Sequence, residues 1–188
     1  MLLYNLLALL FVFTLSNGQI TEKTIKAAHA YNKTCLEYTR SSKGKSQCEF
    51  FRCFEDRFPC GPQYWNLRWG MKYCKKYSEP EIMDAFTPDA KLFLNRTNTC
   101  VGLQLEKIYQ KDKQLKCKSF YQTAFKIQGK CYAENQQLFC NSFPKNRVQF
   151  NKITEMRDYM DPSFLTMIKG ALAKCTPPID LFSLMTSG

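Results

Sequence analysis

Ten cysteines, all lying beyond residue 34, constrain this chain more than any other feature. An even number of them behind an apolar leader reads as five disulfides formed in an oxidising compartment. Structural zinc is the rival use of cysteine, and the spacing argues against it. No C-x-x-C pair occurs, and the only histidine, His29, stands beside no cysteine pair. Ten cysteines allow hundreds of pairings, and spacing does not choose among them.

Residues 1–18 have the character of a secretory signal peptide. They carry no charged side chain, Leu6–Leu15 is apolar apart from Thr14, and Ser16-Asn17-Gly18 offers small residues for cleavage before Gln19. The apolar run is shorter than the ~20 residues needed to span a bilayer, and no later stretch is long enough. The expected product is extracellular, with one domain over 19–178 and a flexible tail over 179–188. About 170 residues suffice for a real core.

The most regular stretch begins at Cys117. Cys117, Phe120, Tyr121, Ala124, Ile127 and Cys131 recur at helical spacing, with Lys118, Gln122, Lys126 and Lys130 on the opposite face. Cys117 and Cys131 lie about four turns apart at ~3.6 residues per turn, so both sulfurs fall on the buried stripe. The spacing predicts a core strut tied at both ends.

Thr87-Pro88 marks another helix start, with Thr87 as N-cap. That helix, roughly 88–110, is expected to turn Phe93, Cys100, Val101 and Ile108 inward. A short lysine-rich loop then makes an antiparallel hairpin with the 117–131 helix. This geometry brings Cys100 level with Cys131.

Elsewhere the pattern is also helical. Residues 21–39 place Ile25, Ala28, Tyr31, Cys35 and Leu36 on one side, and Ser41–Ser46 reads as a polar connector. Cys48, Phe51 and Phe54 share a short helical face that Pro59-Cys60-Gly61-Pro62 ends. Tyr64, Trp65 and Trp69 are assigned to core packing in preference to a ligand platform. Asn141–Arg147 reads as loop. Val148–Tyr159 reads as one helix with Ile153, Met156 and Met160 inward. Asp161-Pro162 opens a last helix, 162–174, whose Phe164, Leu165, Ile168, Ala171 and Leu172 lead to Cys175. The fold class is all-α, a disulfide-stapled helical bundle.

Two sequons, Asn32-Lys33-Thr34 and Asn95-Arg96-Thr97, are candidate glycosylation sites. The net charge of +11 raises the question of a polyanion partner. The densest cluster, Lys107, Lys111, Lys113, Lys116 and Lys118, is diluted by Glu106 and Asp112. It reads first as a solvated face, and second as a site for heparan sulfate or an anionic membrane. No nucleic-acid partner, metal or cofactor is expected. An enzyme is not expected either. A secreted phospholipase needs a helical His-Asp pair beside a calcium loop, yet Ala30 follows His29. A pancreatic-type ribonuclease needs two histidines as acid and base. Glu55 and Asp56 are adjacent, so on a helix they diverge.

Taken together, the cysteine order Cys35, Cys48, Cys53, Cys60, Cys74, Cys100, Cys117, Cys131, Cys140, Cys175 resembles that of stanniocalcin, a family of secreted glycoprotein hormones. Spacings from Cys74 onward are nearly the family's, as are Cys117-Lys118-Ser119-Phe120, the Cys131-Tyr132 step and the long gap before Cys175. The likeness covers about residues 30–178. It implies the bonds Cys35–Cys53, Cys48–Cys74, Cys60–Cys117, Cys100–Cys131 and Cys140–Cys175. It also implies a secreted regulator that binds a receptor or protease, in calcium and phosphate homeostasis or by inhibiting a secreted metalloprotease. Three departures stand out. After Cys175 there is no counterpart of the family's dimer-linking cysteine, and none of its C-terminal extension. The loop Gly61–Tyr73 is longer than the family's, with Tyr64-Trp65-Asn66-Leu67-Arg68-Trp69 in place of acidic residues. A homodimer of this chain would therefore lack the family's intermolecular disulfide.

Overall fold

The computed structural model describes residues 20–41 and 44–179. The expected signal peptide, all of the expected tail except Ile179, and Ser42-Lys43 of the expected connector lie outside the described residues. In chain order the elements are strand β1 (Thr24–Lys26), helix α1 (Lys33–Thr39) and helix α2 (Gly44–Arg57), followed by a π-helical turn (Asn66–Met71) running into α3 (Lys72–Tyr77). Then come α4 (Pro80–Asp84), α5 (Pro88–Lys111), β2 (Gln114–Lys116), α6 (Cys117–Glu134) and α7 (Gln136–Ser142). A 3-10 turn (Pro144–Asn146), α8 (Arg147–Ile153), α9 (Met156–Tyr159) and α10 (Pro162–Leu172) complete the chain. No described helix is long and apolar enough to cross a membrane.

The α5–α6 hairpin is the frame. Cys117, Phe120, Tyr121, Ala124 and Cys131 are buried, while Lys118, Gln122, Lys126 and Lys130 are exposed, as periodicity predicts. Phe125 is buried as well, because Trp65 and Trp69 pack edge-on against it. The sulfurs tie the frame to its surroundings through Cys35–Cys53, Cys48–Cys74, Cys60–Cys117, Cys100–Cys131 and Cys140–Cys175. No described cysteine is free. The core between α2 and α6 is aromatic, with Phe54 stacked on Phe120 at 4.8 Å between ring centres.

Several local expectations are corrected. Residues 21–39 are not one helix. Thr24–Lys26 pairs antiparallel with the distant Gln114–Lys116, in the register Thr24↔Lys116, Ile25↔Leu115, Lys26↔Gln114. Ala28 and Tyr31 are exposed. Helix α1 begins only after Asn32, whose side chain accepts from the Thr34 amide. The helix after the connector already starts at Gly44, inside the stretch read as linker. Thr87 holds the N-cap position but not by its hydroxyl: Asn146 donates to that hydroxyl at 2.8 Å and accepts from the Thr87 amide at 2.8 Å.

The expected loop Gly61–Tyr73 is largely helical. Gly61 (φ 106°) makes the turn, which only glycine adopts at low cost. Glu55 then accepts from the Gly61 amide and the Asn66 side chain, fixing the entry to the π-turn. Trp65 and Trp69 point into the core, and a Cβ on Gly70 would come within 2.6 Å of the Phe51 ring.

Helix α7 runs through Ser142 and the 3-10 turn follows, where a loop was expected. Val148–Tyr159 is interrupted at Thr154-Glu155 by a capping box between Glu155 and Asp158. That interruption turns Met156 and Met160 outward, at 72% and 49% exposure. The last helix starts as expected, with Asp161 accepting from the Ser163 and Phe164 amides, but ends at Leu172.

Candidate interaction site

A groove of about 1140 Å³ lies between residues Ile20–Glu22, the π-turn, the start of α6 and the α9–α10 corner. Its lining carries the cations Arg68, Lys72, Lys118 and Arg157, with Ile20, Leu67 and Met160 among the apolar residues. Tyr121 and Asp161 are buried at its floor. The π-turn and α3 present Arg68 and Lys72 four residues apart, so both cations project on one side.

Buried hydrogen bonds hold this wall. The Trp69 indole donates to the Tyr121 hydroxyl at 2.9 Å, and that hydroxyl donates to Asp161. The Tyr73 hydroxyl donates to Asp158, which also receives Lys72 at 3.0 Å. Burial, reinforced by these carboxylates, pushes both tyrosines well above the ordinary phenol range. They remain neutral donors at any physiological pH. Arg68 lies over the Trp69 ring at 5.6 Å and only 3.8 Å from Asp161, leaving donors directed at the groove. The arrangement suits capture of an acidic and apolar segment.

Lys72 also pairs with Glu155 at 2.8 Å. Its hydrogen bond, with help from Arg157, holds the Glu155 carboxyl down at about 2. A depressed carboxylate contributes stability above its unfolded value near ~4.3, and that contribution fades as pH falls through the folded value. Glu155→Gln keeps an acceptor for the capping box and removes the charge. The melting-temperature gap between wild type and this variant is expected to shrink steadily from pH 4.5 to pH 2. A gap constant over that range would refute the pairing.

The other candidates are dispersed. His29 is exposed, its Nδ1 lying 2.7 Å from the Ala30 carbonyl oxygen. Glu55 is occupied by Gly61 and Asn66, while Asp56 faces solvent. Tyr64, Trp65 and Trp69 are core residues, and Asn32 and Asn95 are both exposed. Cys100, Cys131 and Glu134 sit close enough to suggest a metal site, but the two sulfurs are bonded to each other. Lys107, Lys111, Lys113, Lys116 and Lys118 are all exposed. Glu106 does not dilute them: it is buried, accepts from the Thr39 hydroxyl and pairs with Arg40 at 2.8 Å.

Comparison with models of known families, with curated proteins and with solved structures finds no match. The groove therefore rests on its own geometry. Sequence reading passed over Arg68, Lys72 and Asp158 and treated Asp161 only as a cap. The available signal was the interleaving of Arg68 and Lys72 with Trp69 and Tyr73, a cationic edge beside an aromatic stripe.

Proposed function

We propose that the chain is a secreted, stanniocalcin-like glycoprotein that acts by binding another protein through the Arg68–Met160 groove. One observation carries the reading: the five bonds joining the helices coincide with the set the stanniocalcin resemblance implies. A frame closed by disulfides presents a preformed surface, so little ordering cost opposes binding. Asn32 and Asn95 carry glycan in this reading, both lying outside the groove lining. The field of action is calcium and phosphate homeostasis or inhibition of a secreted metalloprotease.

The test uses purified secreted protein in two assays, inhibition of secreted metalloproteases and calcium or phosphate flux across cultured epithelium. A saturable effect in one assay is expected. Arg68→Glu with Met160→Glu should weaken it at least tenfold, since a few anchor residues carry most of an interface's energy. Activity in neither assay, or full activity of the double variant, would overturn the proposal.

A further inference from the structure

A second surface, independent of the groove, is built by the β1–β2 ribbon. Ile25 and Leu115 face inward, so strand alternation turns Thr24, Lys26, Gln114 and Lys116 to the outside. Lys26 and Lys116 are diagonal neighbours in this register, a placement that sets residues about 7–8 Å apart. The Ala27 amide donates to the Lys113 carbonyl at one end of the ribbon, and the Cys117 amide to the Lys23 carbonyl at the other. Lys111 and Lys118 flank it on α5 and α6. Folding thus adds Lys26, about 90 residues away in sequence, to the lysine cluster around 111–118.

The clustering of unpaired lysines sets this face apart. Some lysines elsewhere have carboxylate partners, as in Lys72–Glu155, Lys91–Asp84 and Lys130–Glu134, whereas here five without one gather on neighbouring elements. Among the described residues none of Lys26, Lys111, Lys113, Lys116 or Lys118 lies in an ion pair. The carboxylate at the α6 end, Glu22, is engaged by the Lys118 amide and the Ser119 hydroxyl. Beneath the ribbon lies Arg57, 5% exposed, whose guanidinium donates to the carbonyls of Tyr109, Asp112 and His29. No carboxylate neutralises it in the described structure, so its charge adds to the potential at the surface. Asp112 is the other acid at this edge.

We infer that the ribbon face binds a linear sulfated polysaccharide, a partner distinct from the protein of the proposed function. Lysines anchored at strand spacing on a paired ribbon match a stiff chain of sulfates, and like charges held this close are relieved when anions intervene. The outward ribbon positions carry no apolar side chain to enter a bilayer and no ring to stack on a base. A membrane or a nucleic acid is therefore the poorer fit.

Immobilised heparin is the probe, with wild type compared against Lys26→Glu/Lys113→Glu/Lys116→Glu. A control, Lys126→Glu/Lys145→Glu/Lys152→Glu, changes net charge equally at exposed positions elsewhere. Wild type should be retained above physiological salt. The ribbon variant should lose at least tenfold in affinity, and its salt slope should fall by about three, one for each cation lost. The control should lose less than threefold, and a Lys→Gln version of the ribbon triple guards against misfolding. Equal losses in both triples, no retention of wild type, or binding to phosphatidylserine vesicles in preference to heparin would each overturn the inference.

Discussion

Replacing Cys60 and Cys117 together by serine is expected to lower stability by about 4 kcal/mol, the largest loss of any disulfide in the chain. The bond closes a loop of sequence separation 57, against 18 for Cys35–Cys53. Restriction of the unfolded chain grows with the logarithm of loop length, which gives ~4 kcal/mol for the first and ~3 kcal/mol for the second. Position adds to length. Cys117 is the first residue of α6 and follows directly on β2, so this bond joins the end of α2 to both the central helix and the ribbon. Urea unfolding of the two double variants, without reductant, measures the difference. Equal midpoints would show that loop length does not govern these staples.

Arg57→Met is the second large effect, expected to cost about 4 kcal/mol. Among the described residues the side chain has no carboxylate partner. It bridges the carbonyls of Tyr109, Asp112 and His29 and lies over the Phe58 and Tyr109 rings at 5.0 and 5.6 Å. Methionine would fill much of the space but strand the buried Tyr109 carbonyl and leave the part-buried His29 and Asp112 carbonyls without this donor, at about 1–3 kcal/mol for each that water does not reach. The same three carbonyls position the N-terminal segment and the end of α5, so the ribbon should loosen before the whole domain unfolds. Amide exchange would show this as faster opening at Ala27 and Lys116 than at Ala124. Uniform acceleration would mean that Arg57 stabilises the fold globally and does not pin the ribbon.

Much of the fold was legible in the residue pattern. The α6 face was assigned correctly because a 3.6-residue period states which side chains share a side, and burial follows that side. Pro88 and Asp161-Pro162 announced two helix starts, since a ring without an amide proton and a capping carboxylate fit only there. The level placement of Cys100 and Cys131 followed from the hairpin's loop length.

Other features had no local signature. Three residues at Thr24–Lys26 are too few to show alternation, and their partner is far along the chain, so helical spacing there was coincidental. The break at Thr154 depends on Lys72 and Tyr73 reaching Asp158 from another helix. Arg57 reads as one more surface cation until the carbonyls of three separate segments converge on it. The groove is composite as well, drawn from four stretches that meet only in space.

What the sequence by itself determined is the inside and outside of α6, the starting points of α5 and α10, and a cysteine number that demands complete pairing. Only the tertiary structure decided which surfaces meet: the lysines that share a ribbon, and the charges that line the groove. Periodicity records burial along one element, whereas electrostatic neighbours depend on how distant elements pack.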